Sequence, residues 1–302
     1  MILKNRMLNE WRLFWLIAGP ISIAMVVAMI GADLSAATGV SSMIQLSVRC
    51  AVPLLYIAFA ASSILVLFPG PFSHWLMRNR KFIGLSFSAA MAWQLFFIVW
   101  LVTLHSDYYI SEVYVLRDAI EGVIGYLFLI AMTFTSFKIG RKFVKPRAWK
   151  LLHRSGIYFV WAYAFSVYWW NLFFYADPVF IDYVYYWGGF LAWGARAAGW
   201  SKKKRQFAEK SAPQNTTQPV LAVFGIVIIG IGLVAAGFGS TWRIAVENLL
   251  TGYAVTRIPE LYLPYWPFIS FLPLFVIALG IFIATRSWAR RDVVSYSPDR
   301  TV

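Results

Sequence analysis

Eight apolar blocks, each about twenty residues long, take up most of this chain, and they constrain its fold more than any other feature. About twenty residues at 1.5 Å per residue cross the ~30 Å hydrocarbon core of a bilayer. In hydrocarbon every backbone polar group must be paired within its own segment, so each block is expected to be a helix. The blocks run over 14–31, 44–68, 82–104, 119–136, 155–175, 183–199, 219–239 and 266–285. Only 13% of the 302 residues are charged, against about 25% in a soluble domain. The blocks leave no room for a soluble catalytic domain. The expected fold class is an all-α integral membrane protein of about eight transmembrane helices.

The charges between the blocks give the expected orientation. Lys4, Arg6 and Arg12, then Arg78, Arg80 and Lys81, then Lys138, Arg141, Lys142, Lys145, Arg147, Lys150 and Arg154 fall in alternate segments, followed by Arg196, Lys202, Lys203, Lys204, Arg205 and Lys210, and by Arg286, Arg290, Arg291 and Arg300. These are 23 of the 27 basic residues; Arg49, Arg117, Arg243 and Arg257 fall on or toward the other side. Most acidic residues, among them Asp33, Asp107, Glu112 and Asp182, run the opposite way. This positive-inside pattern places both termini in the cytoplasm of a multi-pass protein, in the bacterial inner membrane. The first block is read as a retained helix, because it is long for a signal peptide and no good cleavage site follows it.

The net charge of +14 would raise a nucleic-acid partner in a soluble protein. Here the run Ser201-Lys-Lys-Lys-Arg205 sits beside a span, where such runs orient the helix and touch anionic lipid. Membrane lipids are therefore expected partners and nucleic acid is not. One cysteine, Cys50, excludes a disulfide framework and a CxxC redox pair. There is no Gly-rich dinucleotide fingerprint, so no flavin or NAD site is expected in this chain. No metal-ligand cluster or hydrolase spacing is visible. The polar stretch 211–218 is read as a cytoplasmic linker between a bundle over 1–210 and a C-terminal helix pair over 219–290, with a cytoplasmic tail over 291–302. Within the pair, the segment 240–265 is expected to hold a periplasmic amphipathic helix. There Trp242, Ala245, Val246, Leu249, Leu250 and Tyr253 recur at helical spacing, opposite Arg243, Glu247, Asn248 and Thr251.

Three short segments carry a resemblance. Arg80-Lys-Phe-Ile-Gly-Leu85 opens the third block, Thr135-Ser136 closes the fourth, and Trp149-Lys-Leu-Leu-His153-Arg-Ser-Gly-Ile-Tyr158 leads into the fifth. In their order and positions they resemble the ferric reductase-like transmembrane domain, and most closely the haem-binding membrane subunit of the bacterial methionine sulfoxide reductase system, over residues 43–199. The resemblance implies a six-helix bundle over 1–210 holding b-type haem between helices. It also implies axial histidines in the middle of the third helix and at two places on the fifth, thirteen residues apart. On this chain the third-helix position falls at Gln94 and the upper fifth-helix position at Ser166, so only His153 matches. His74 lies in a basic loop and His105 at the far end of the third block.

His153 is thus the haem-ligand candidate, with the alternative that it is a helix-start residue bonded among its basic neighbours. Arg49 could bind a haem propionate or an anionic lipid headgroup, or snorkel to the surface. Haem b is expected to be substoichiometric or absent. Besides a carrier or lipid-handling protein, two functions stay open. One is a diverged ferric reductase-like protein that lost most haem ligands and serves as a binding or assembly subunit beside another membrane or periplasmic protein. The other is a b-haem oxidoreductase passing electrons across the membrane to a periplasmic acceptor. Whether the chain is an enzyme is left undecided.

Overall fold

The computed structural model describes residues 6–175, 177–211, 219–253, 261 and 268–286, and among them the regular structure is helical throughout. The long helices are α1 (Glu10–Gly31), α2 (Ala37–Leu67), α3 (Pro71–Leu104), α4 (Leu116–Ser136), α5 (Pro146–Phe173), α6 (Phe180–Ser211), α7 (Pro219–Gly237), α8 (Gly239–Tyr253) and α9 (Leu272–Arg286). Helices α1 to α4 and α7 are long and apolar enough to cross a membrane, and a shorter apolar helix covers 269–285. The chain is a helical membrane protein with apolar faces turned to lipid. The linker 211–218 and the tail 291–302, like Arg257, Glu260 and most of 254–267, lie wholly or largely outside the described residues.

Several helices outrun the apolar blocks, most of all at the basic end, although α2 also starts seven residues before its block, at Ala37. Helix α3 starts at Pro71, α5 at Pro146, and α6 continues to Ser211. Pro71 and Pro146 sit in the first turn, where a missing N–H costs no hydrogen bond. The Gly70 N–H donates to Ser73 Oγ at 2.9 Å, which closes the α3 start. Arg78, Arg80, Lys81, Lys150 and Arg154 are therefore held on helices.

Asn79 fastens α1 to α3. Its side chain is fully buried; Oδ1 accepts from the Glu10 N–H at 2.9 Å, and Nδ2 donates to Asn9 Oδ1 and the Trp75 carbonyl. Trp75 Nε1 donates to the Leu8 carbonyl at 2.8 Å. The central core lies between α2, α5 and α6, where Phe59 stacks on Trp161 at 5.1 Å and Phe165 on Tyr186 at 5.2 Å.

Helices α7 and α9 pair through glycine. A Cβ at Gly225 would come within 2.6 Å of the Gly280 carbonyl oxygen, and one at Gly280 within 2.7 Å of the Gly225 oxygen. In lipid, where apolar burial gives little drive, such close backbone approach is what holds two helices together.

Helix α8 covers the first part of the segment read as amphipathic. Trp242 and Val246 pack on the bundle, with Trp242 Nε1 donating to the Ala235 carbonyl at 2.8 Å. Ala245 and Leu249 are exposed, and Arg243 and Glu247 are half-buried. These two form an ion pair at 2.9 Å, with the guanidinium lying 4.8 Å from the Phe174 ring centre. A paired charge stacked on an aromatic ring packs as an apolar unit does.

The glycine pairing predicts that Gly225→Leu will separate α7 from α9, while Gly230→Leu, where a Cβ meets nothing within 4 Å, will be tolerated. Overpacking costs about 1–3 kcal/mol. Thermal unfolding in detergent is expected to shift down by several degrees for the first variant only.

Candidate functional site

At the end of the bundle where α3 and α5 begin and α4 ends, three helix termini are tied together by side chains. Trp149 Nε1 donates to the Thr135 carbonyl at 3.1 Å, joining α5 to α4. His153 lies one turn further along α5, its ring 4.4 Å from the Trp149 ring and its Nε2 3.0 Å from Thr135 Oγ1. The Thr135 hydroxyl has one proton, directed to the Ala131 carbonyl at 2.7 Å. The His153 contact is therefore assigned with the imidazole Nε2–H donating. Gly156 follows on the same helix, and a Cβ there would lie 2.8 Å from Met132 Sδ, so α4 and α5 pack closely below the knot.

Beside this knot opens a cavity of about 760 Å³. Helix α3 contributes Arg78, Arg80 and Lys81; the helical turn at Lys138–Arg141 contributes its two basic residues; α5 contributes Lys150 and Arg154, and α6 contributes Arg196. No carboxylate lines it among the described residues. The inner wall is apolar, with Leu85, Phe87, Leu129, Met132 and Ile157, and Ser88 and Thr133 add a hydroxyl pair bonded at 2.9 Å.

Three of the cations are held in place by aromatic rings. Arg196 donates from Nε to the Tyr158 hydroxyl at 2.9 Å and from a terminal nitrogen to the Phe59 carbonyl at 2.6 Å, with its guanidinium over both rings. Arg141 lies 3.9 Å from the Trp149 ring centre, and Lys81 lies 5.9 Å from that of Phe137. Arg80 differs. It is half-buried and has no hydrogen-bond or ion-pair partner among the described residues. The cations lining the cavity have no carboxylate beside them among the described residues, so the cluster is electrostatically incomplete by itself.

The two residues singled out as site candidates are not brought together. His153 lines the cavity, whereas Arg49 does not. Arg49 is exposed on α2, and its carbonyl accepts from the Tyr185 hydroxyl at 2.7 Å. The other positions that the family resemblance marks for haem ligands are engaged elsewhere. Gln94 Oε1 accepts from the Tyr126 hydroxyl at 2.8 Å, and Ser166 Oγ lies 3.1 Å from Ser270 Oγ. With two imidazoles replaced, and the third bonded through Nε2, these residues do not fit a b-haem held between two histidines. Among the described residues no group of three or more His, Cys, Asp or Glu side chains could hold a metal ion.

Reading the chain for orientation alone assigned Arg80, Arg141, Lys150 and Arg196 to loops and helix ends, and so missed the cavity. One signal was available: Lys150, His153, Arg154 and Ile157 stand at i, i+3, i+4 and i+7, which is one helix face. They all line the cavity, together with Arg80, Gly84 and Leu85 of the first motif and Thr135 and Ser136 of the second.

Compared with models of known protein families, with curated proteins and with solved structures, the chain matches none.

Proposed function

We propose that this chain is an eight-span protein of the bacterial inner membrane, related to the ferric reductase-like bundle, that binds a ligand or partner without carrying electrons. In this reading α5, α6 and α9 span alongside the five most apolar helices, and the basic end that holds the cavity faces the cytoplasm. The spans of 28 and 32 residues in α5 and α6 reach about 42 and 48 Å at 1.5 Å per residue, ample for a bilayer. The observation that carries the reading is the engagement of Gln94, Ser166 and His153 in hydrogen bonds within the bundle. An amide and a hydroxyl tied to neighbouring helices hold a fold together and supply nothing to an iron. The competing reading, electron transfer by b-haem, draws on His153 and the basic side chains beside it, which would suit propionates.

The visible spectrum separates the two. Purified protein, oxidised and then reduced with dithionite, is expected to lack a Soret band and a sharp reduced α-band. Near-stoichiometric haem bands that vanish in His153→Ala would establish the electron-transfer reading instead.

The orientation is tested separately. In a Cys50→Ser background, Ser35→Cys and Lys142→Cys lie at exposed positions at opposite ends of the bundle. An impermeant thiol reagent applied to intact spheroplasts should label the first and spare the second. Labelling of both from the same side would rule out the topology.

A further inference from the structure

The cavity at the basic end is built for an occupant that brings negative charge and an apolar segment together. Elsewhere in the bundle the partly buried arginines are matched to carboxylates: Arg117 pairs with Asp118, and Arg243 with Glu247. In the cavity Arg80 and Arg196 face the same space with no carboxylate lining it. Arg196 is fixed by Tyr158 and Phe59, so it cannot retreat from Arg80 without giving up two hydrogen bonds. Charge concentrated in this way is stabilised by an anion of more than one negative charge.

Size narrows the class. A volume of about 760 Å³ is roughly 25 times the ~30 Å³ share of one water molecule, far more than a free inorganic anion fills. It falls in the range of sites for small organic ligands, about 300–1,000 Å³. The wall below the cations is Leu85, Phe87, Leu129 and Met132, which suits hydrocarbon. Gly84 keeps the space open, since a Cβ there would meet nothing within 4 Å.

We propose that this cavity binds a lipid with a terminal phosphate, its phosphomonoester held by Arg80, Arg196 and Lys150 and the start of its apolar chain lying on Leu85 and Met132. A phosphomonoester carries about −1.5 to −2 charges near neutral pH and three acceptor oxygens, which matches forked guanidiniums better than the single charge of a phosphodiester does. The assignment rests on the ligand-binding reading above, and deepens it by naming the ligand class.

The test uses the full chain in phosphatidylcholine nanodiscs doped with phosphatidic acid or phosphatidylglycerol, with bound lipid counted by native mass spectrometry. Phosphatidic acid should bind at one per chain and at least tenfold more tightly than phosphatidylglycerol. Arg80→Gln, which breaks no hydrogen bond or ion pair among the described residues, should weaken it about tenfold or more, the worth of a charge-assisted hydrogen bond. Gly84→Phe should abolish it by filling the cavity with every charge kept. The pair Lys203→Gln and Lys204→Gln, outside the cavity, should bind as the wild type does. Equal binding of both lipids, or equal loss in all variants, would show mere attraction to basic charge and overturn the proposal. Displacement of the lipid by millimolar inorganic phosphate would overturn it in favour of a small-anion site. The spectrum of the same sample keeps the two readings apart: haem bands refute the ligand-binding reading, whereas a colourless protein with no lipid preference refutes only the phosphate-lipid site.

Discussion

In hydrocarbon a polar side chain has no water to turn to, and that constraint decides how this bundle is joined. Tyr126 of α4 reaches Gln94 of α3, and Thr133 of α4 reaches Ser88 of α3. Trp161 of α5 donates to the Gly189 carbonyl of α6, Tyr185 of α6 to the Arg49 carbonyl of α2, and Tyr186 of α6 to the Ala236 carbonyl of α7. Each such bond adds modestly, about 0.6 kcal/mol on average and up to about 2. Their larger effect is specific: a helix that slid or turned would leave a donor without an acceptor, and that penalty fixes register.

The same constraint explains the contrast between the two ends of the bundle. Away from the cavity, buried charge is matched by a partner, as in Arg243 with Glu247 on Phe174 and in Asp182, whose carboxylate accepts from the Asn171 amide and the Val179 N–H. At the basic end, aromatic faces take over part of that work. Trp149 beneath Arg141, and Phe59 and Tyr158 beside Arg196, orient cations without neutralising them. A ring quadrupole offsets about 0.5–2 kcal/mol per cation, less than the cost of crowding several like charges. The cluster is held in position and still short of counter-charge.

How far sequence reading reached follows from which property each feature depends on. Helix class and the approximate placing of each apolar block depend on hydropathy, which is local, and the helices lie where the blocks are. The overrun of α3 and α5 depends on capping by Gly70 and on Pro71 and Pro146, which a hydropathy window ignores. The half-burial of Arg243 on α8 depends on its ion pair with Glu247 and on the Phe174 ring, which only packing brings beside it. The cavity was hidden for the same reason. Arg80, Lys138, Lys150 and Arg196 are far apart in the chain, and only packing brings them to one space.

The residues that resemble the family and those that depart from it occupy different depths. Gln94 stands six residues beyond Ser88 on α3, and Ser166 nine beyond Ile157 on α5, so both lie about 9–14 Å along the helix axes past the cavity lining at 1.5 Å per residue. The matching residues, Arg80, Gly84, Leu85, Thr135, Ser136, Trp149 and His153, all line the cavity. Gln94 and Ser166 bond across the bundle, so changing either would loosen helix packing and leave the cavity lining as it is. Replacing Gly84 or Trp149 would instead fill the cavity or untie α4 from α5. The joints in the middle of the bundle and the cavity at its basic end therefore depend on different side chains.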